Sequence, residues 1–101
     1  MGVVGEIDPG VQPRPPAVTD NREAHQFELT VHGQTSVLIY ERRPHALALL
    51  HTEVPPALRG RGLATRLAEA AVNAARAEGL QVIAICPFVR AFLRKQHQSN
   101  P

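Results

Sequence analysis

The sequence predicts a mixed α/β fold of three antiparallel strands, a helix, a parallel strand and a C-terminal helix. Three observations predict it. Three apolar runs of strand length precede Pro55-Pro56, an alanine-rich segment with helical spacing follows, and a second strand–helix pair closes the chain. At 101 residues there is room for one domain with a single core.

The elements follow in order. Residues 1–20 carry Pro9, Pro13, Pro15 and Pro16 and few large apolar side chains, so they gain little by burial. They are expected to stay a flexible tail, with the folded domain over residues 21–101. "HQFELTVHG" (His25 to Gly33) alternates Phe27, Leu29 and Val31 with polar neighbours, as a half-buried strand does. "GQT" is expected to turn the chain into a second strand, "SVLIYERR", making a hairpin. "ALALLHTEV" (Ala46 to Val54) is apolar enough for a central strand, and Pro55-Pro56 must end it because proline donates nothing to a ladder.

Leu63 to Glu78 reads as the strongest helix, with Leu63, Leu67, Ala70, Ala71 and Ala74 as its apolar stripe and Gly79 as its C-terminal stop. "LQVIAI" (Leu80 to Ile85) follows at once as a buried strand. A strand, helix and strand joined by short connections imply a right-handed crossover and a parallel pair. "PFVRAFLRKQ" (Pro87 to Gln96) opens with proline at the first helical position and sets Phe88, Val89, Phe92 and Leu93 on one face.

Composition excludes several classes. With 44% hydrophobic and 20% charged residues the chain has the balance of a globular protein, not a disordered one. No apolar run approaches the roughly 18 residues that cross a bilayer, so no membrane partner is expected. The N-terminus lacks a signal pattern, and "MGVVGE" has Glu6 where myristoylation wants Ser or Thr. The single cysteine, Cys86, cannot form an internal disulfide, which points to a reducing compartment, the cytoplasm. A net charge of +2 suits an anionic ligand but is too weak to indicate nucleic acid.

One stretch, Arg59 to Arg66, suits an anionic ligand. A helix N-terminus leaves about four amides without partners and carries roughly half a positive charge. Gly60 and Gly62 clear the approach to it, and Arg59, Arg61 and Arg66 supply countercharge. The turn is suited to phosphate, and pyrophosphate fits best. A Walker loop is excluded because no Gly-Lys-Ser/Thr stands at the right spacing. A dinucleotide fingerprint is half present, with Thr65 where its third glycine belongs, and about 20 residues on "QVIAIC" offers no acidic residue for a ribose. A surface Arg-Gly turn without a ligand is the competing reading.

"Arg59-Gly60-Arg61-Gly62-Leu63-Ala64" resembles the Arg/Gln-x-x-Gly-x-Gly/Ala pattern of GNAT-type N-acetyltransferases. The longer run "HTEVPPALRGRGLATRLAEAA", with "CPFVRAFLRK" further on, is similar to small bacterial GNAT-like acetyltransferases of the YjdJ type. The match spans about Asn21 to His97. The resemblance implies a minimal GNAT fold whose central antiparallel strand splays from the parallel strand, and acetyl-CoA as co-substrate. It further implies that the amides of Arg61, Gly62, Leu63, Ala64 and Thr65 face the pyrophosphate, and that Val54 pairs with pantetheine through its main chain. Arg59, Arg61, Arg94 and Lys95 are the basic residues available to the adenosine phosphate.

Acetyl transfer needs a group to take the amine's proton or to replace the amine as nucleophile. Cys86 ends the parallel strand and caps the last helix, where the helix dipole favours thiolate, so it is a candidate nucleophile; a small buried hydrophobe is the plain alternative. His51 and Glu53 are two apart on the central strand and share a face, as a candidate base, as partners of each other, or as groups orienting Cys86. The five histidines show no ligand spacing, and no metal is expected.

GNAT enzymes of full size carry extra helices between the early strands and extra strands at the C-terminus, which build the acceptor pocket. "VHGQTSVLIYERRPHALALL" leaves no room for the former, and the sequence stops soon after the last helix. The function expected is therefore an acetyl-CoA-binding N-acetyltransferase acting on an amine acceptor of unknown identity, such as a peptide or protein lysine. The alternative is a CoA- or acyl-CoA-binding module with little turnover. A basic nucleic-acid binder using Arg42, Arg43, Arg59, Arg61 and Arg66 is the third reading, and 4% aromatic residues leave it little for base stacking.

Overall fold

The structure, a computed structural model, describes residues 17–99. It contains β1 (Thr19–Asn21), β2 (Gln26–Val31), β3 (Gln34–Arg43), β4 (Ala46–Glu53), a short 3-10 turn (Pro56–Leu58), α1 (Leu63–Ala77), β5 (Gln81–Ala84) and α2 (Pro87–Ser99). The strands form one sheet in the order β1-β2-β3-β4-β5, antiparallel except for the parallel β4–β5 pair. This is the mixed α/β architecture that the sequence predicts, with one more strand. Of the expected tail, residues 1–16 lie outside the described residues, while Thr19 and Asp20 pair with Glu28 and Phe27 as part of β1.

The first hairpin turns one residue earlier than "GQT" suggests. His32 and Gly33 are its two loop residues, both at positive φ (52° and 75°), and Gln34 already pairs with Val31. Two left-handed residues in a row match the right-handed twist of the flanking strands, which sets the turn there.

One face of the sheet is covered. Phe27, Leu29, Leu38, Tyr40, Leu47 and Leu49 point from the strands into a core closed by Leu63, Leu67, Ala71 and Ala75 of α1 and Val89 of α2. The buried stripe of α1 also includes Ala68 and Val72, whereas Ala70 and Ala74 are only half-buried. The reason is α2: Phe92 packs on Ala68 and Val72, so the apolar face of α1 turns toward the second helix as well as the sheet.

A bulge interrupts the β3–β4 ladder. Tyr40 faces Leu49 and Ile39 faces His51, so Leu50 is the extra residue. The consequence is a change of phase. Before the bulge the odd-numbered Leu47 and Leu49 of β4 point into the core; after it the even-numbered Thr52, opposite the buried Leu38, does so. His51 and Glu53 are thereby turned to the uncovered face, opposite Ile39 and Val37.

Candidate functional site

The site begins where β4 and β5 part. Their pairing ends at Leu49 and Ala84, but β4 runs on to Glu53 while β5 gives way to α2. The Leu49 carbonyl accepts from both Ile85 (3.0 Å) and Cys86 (2.9 Å), which closes β5 one residue sooner than its apolar run suggests and leaves Ile85 exposed. Beyond that point β4 and the start of α2 enclose a wedge.

The N-terminus of α1 opens into the wedge. Gly62 is its N-cap, in the left-handed region (φ 77°), with no side-chain cap on the first turn and no acidic residue in it. Gly60 is also left-handed (φ 82°), so both positions need glycine for their backbone. A Cβ at either would meet no protein atom within 4 Å, so the space in front of the first amides belongs to neither core nor loop. Uncapped amides at the positive end of a helix, approached without obstruction, fit a phosphate group.

Three cavities adjoin there and share Phe88. The first, about 630 Å³, lies between His51, Thr52, Glu53, Val54 and Arg59. The second, about 270 Å³, runs along Gly60, Gly62, Leu63, Ala64 and Thr65. The third, about 340 Å³, continues from Thr65 and Glu69 between the helices to Phe92, Lys95 and Gln96. Arg61 is exposed and lines none of the three. The Val54 carbonyl accepts from Arg59 Nε at 3.2 Å, which leaves its second lone pair for another donor.

Phe88 departs from its expected place. The helical count puts it with Val89 and Phe92 in the core, but it is 38% exposed because it opens α2 at the mouth of the wedge, one turn before the helix meets α1. The position of a ring immediately after the strand-end proline was the signal available for it.

Cys86 and the His51–Glu53 pair lie on opposite sides of β4. His51 Nε2 and Glu53 Oε2 are 3.1 Å apart, and both side chains are largely solvated. With the carboxylate accepting, Nε2 carries the proton and Nδ1 keeps its lone pair for a substrate proton. The pair therefore orients itself, as one of the expected roles had it, but it does not orient Cys86. Thr52 does, with Oγ1 at 3.4 Å from Sγ. The Leu50 bulge is the physical reason, since it sends Thr52 and not its two neighbours to the face where the thiol lies.

The Cys86 thiol is buried, at 3% exposure, and it caps α2: its carbonyl accepts from Arg90 at 3.1 Å. Burial pushes the thiol up, but hydrogen bonds from the Thr52 hydroxyl and from the amides of Val89, Phe88 and Thr52 outweigh it and hold the thiol below its ordinary value. Sγ lines none of the three cavities; Thr52 stands between it and the first. Among the described residues no three His, Cys, Asp or Glu side chains gather as a metal site, and no helix is long and apolar enough to cross a membrane.

Comparison with known proteins agrees with this geometry. A family model for GCN5-related N-acetyl-transferases matches residues 26–100. The chain is 33% identical over 96 residues to Protein NATD1 of Xenopus tropicalis, covering 92% of this chain and 85% of that protein. It is 36% identical over 84 residues to Protein NATD1 of Bos taurus, covering 80% and 74%. The fold and the wedge define an acyltransferase-type domain. The chain belongs to the GCN5-related N-acetyltransferase family.

Proposed function

We propose that the chain is an N-acetyltransferase that takes acetyl-CoA in the row of three cavities and passes the acetyl group to an amine. The observation that carries this reading is the continuity of the row. An uncapped helix N-terminus flanked by two left-handed glycines sits between a cavity ending at His51 and Glu53 and one ending at Lys95. In this reading the first amides of α1, through Thr65, hold the pyrophosphate and the edge of β4 at Val54 holds the pantetheine. Lys95 and Arg59, which line cavities, are better candidates for the remaining phosphate charge than Arg61.

The bound co-substrate supplies an acetyl thioester. The residues supply position and a place for a proton. His51, with Nε2 tied to Glu53, takes the amine's proton at Nδ1. The acceptor is an amine on a peptide or protein, since the first cavity reaches the uncovered face of the sheet. A cysteine kept as a free thiol fits a reducing compartment such as the cytoplasm.

A second route has its own support. The lowered thiol of Cys86 favours a thiolate nucleophile that carries the acetyl group before the amine does. A third reading, a CoA-binding module with little turnover, draws on the solvation of the reactive pair, with side chains 59% and 65% exposed.

Calorimetry with CoA and intact mass after incubation with acetyl-CoA separate the three. Direct transfer requires CoA binding, an acetylated acceptor and an unmodified protein. The covalent route requires one acetyl group on Cys86. The module requires binding with neither product. In the series His51→Ala, Glu53→Ala and Cys86→Ser, at least one variant must lose transfer; three unchanged rates would remove all the catalytic assignments.

A further inference from the structure

We propose that the Thr52 hydroxyl is a proton relay between the buried Cys86 thiol and the cleft, serving the leaving-group side of acyl transfer. The proposal rests on the direct-transfer reading above. Its geometric basis is a division of faces on one strand. Thr52 lines the first cavity and its Oγ1 lies 3.4 Å from Sγ, while Cys86 itself is buried and lines none of the three cavities. The thiol can therefore exchange a proton with the cleft only through a neighbour, and Thr52 is the side chain in contact with both.

The hydroxyl suits the task because it donates and accepts at the same atom. Sγ gives its proton to Thr52 Oγ1 as the Thr52 hydroxyl gives its own to the departing thiolate. The carbon–sulfur bond of the donor breaks as the amide bond forms, and the amine's proton goes to His51 Nδ1. Thr52 ends as it began, Cys86 ends as thiolate and His51 as imidazolium; one proton lost to solvent and one regained restore both. No oxidant or reductant is involved.

The thiolate left behind is well held. The amides of Phe88 and Val89, at the positive end of α2, and the Thr52 amide and hydroxyl all donate toward Sγ. A thiol held below its ordinary value gives up its proton readily to an ordinary thiolate. The groups that act on Sγ from β4 and α2 are neutral, and His51 and Glu53 face away across the strand.

The experiment compares wild type, Thr52→Val and Thr52→Ser. It follows acetyl transfer to a lysine peptide across pH, calorimetric binding of CoA, and ultraviolet titration of the Cys86 thiolate. Valine keeps the shape and removes the hydroxyl. It is expected to slow kcat about a hundredfold, leave CoA binding unchanged and raise the thiol's titration; serine is expected to restore both. On a Cys86→Ala background, Thr52→Val is expected to cost nothing further. A wild-type kcat in Thr52→Val, a Thr52→Ser as slow as the valine variant, or an unmoved titration would overturn the relay alone. Acetyl found on Cys86 would also overturn it, while leaving the acetyltransferase reading intact. Wild-type protein that binds CoA without transferring acetyl would overturn the transferase reading and the relay together.

Discussion

The two ends of α1 are built on opposite plans. At its C-terminus the carbonyls of Ala74, Ala75 and Arg76 are all tied. Gly79 is left-handed, its amide bonds to Arg76, and the Leu80 amide reaches back to Ala75 at 2.8 Å, which closes the last turn. Glu78 there binds Arg42 through both oxygens and Arg22 at 3.1 Å. Arg42 and Arg22 continue to Asp20 on β1, whose other oxygen accepts from Tyr40 at 2.6 Å. At its N-terminus the same helix has no side-chain cap and no acid in its first turn. Both choices run against the helix dipole, which favours acid at the start and disfavours it at the end. The difference teaches where stability and binding were placed. The C-terminal acid anchors the edge strand through arginines, and in the proposed reading the N-terminal amides serve a ligand.

Substitutions at each end test this contrast, the largest effect first. Gly62→Val forces a branched residue into a left-handed position and is expected to lose about 1–3 kcal/mol of stability. Calorimetry is expected to find CoA binding weakened more than tenfold; unchanged binding would mean the turn holds no phosphate. Thr65→Asp places an acid in the first turn, where the dipole is expected to raise stability by about 0.3–1 kcal/mol as CoA binding falls. Thermal unfolding with and without CoA reads both, and a variant that gains stability without losing CoA would break the comparison.

The smallest effect lies at the other end. The hydrogen bonds from Arg42, joined by the charges of Arg42 and Arg22 and a hydrogen bond from Arg22, hold the Glu78 carboxyl below its ordinary value against the opposing effect of desolvation. A lowered folded value means the contribution is present above the unfolded value and lost as pH falls through the folded one. Unfolding measured across acid pH is therefore expected to show a loss below the usual carboxylate range that shrinks in Glu78→Gln. Part of the loss will remain, because hydrogen bonds from Gln26 and Asn21 lower Glu28 as well.

How much of this was legible in the sequence depends on the range of the interaction. Periodicity places β2 to β5 and both helices, and Gly79 announces its stop, because these depend on near neighbours along the chain. The short β1 was not legible: Thr19 to Asn21 carries no apolar alternation, and its pairing is secured by Asp20 meeting Tyr40 and Arg42, some twenty positions away. At the site, the Arg-Gly turn could be read because its glycines are a local requirement. The facing of Thr52 toward Cys86 could not, since it depends on a ladder irregularity opposite Ile39 and Tyr40 that no spacing within β4 records.

That irregularity has a further implication. Were Leu50 paired into the ladder like its neighbours, simple alternation would run Leu47, Leu49, His51 and Glu53 along a single side, sending imidazole and carboxylate toward the helices and threonine to the outside. Gain or loss of such a one-residue bulge, with Leu50 retained, thus exchanges which chemistry is offered to the thiol and which to the outside. Alterations of strand register here, more than replacements of side chains, are the route by which this scaffold could acquire a different reaction.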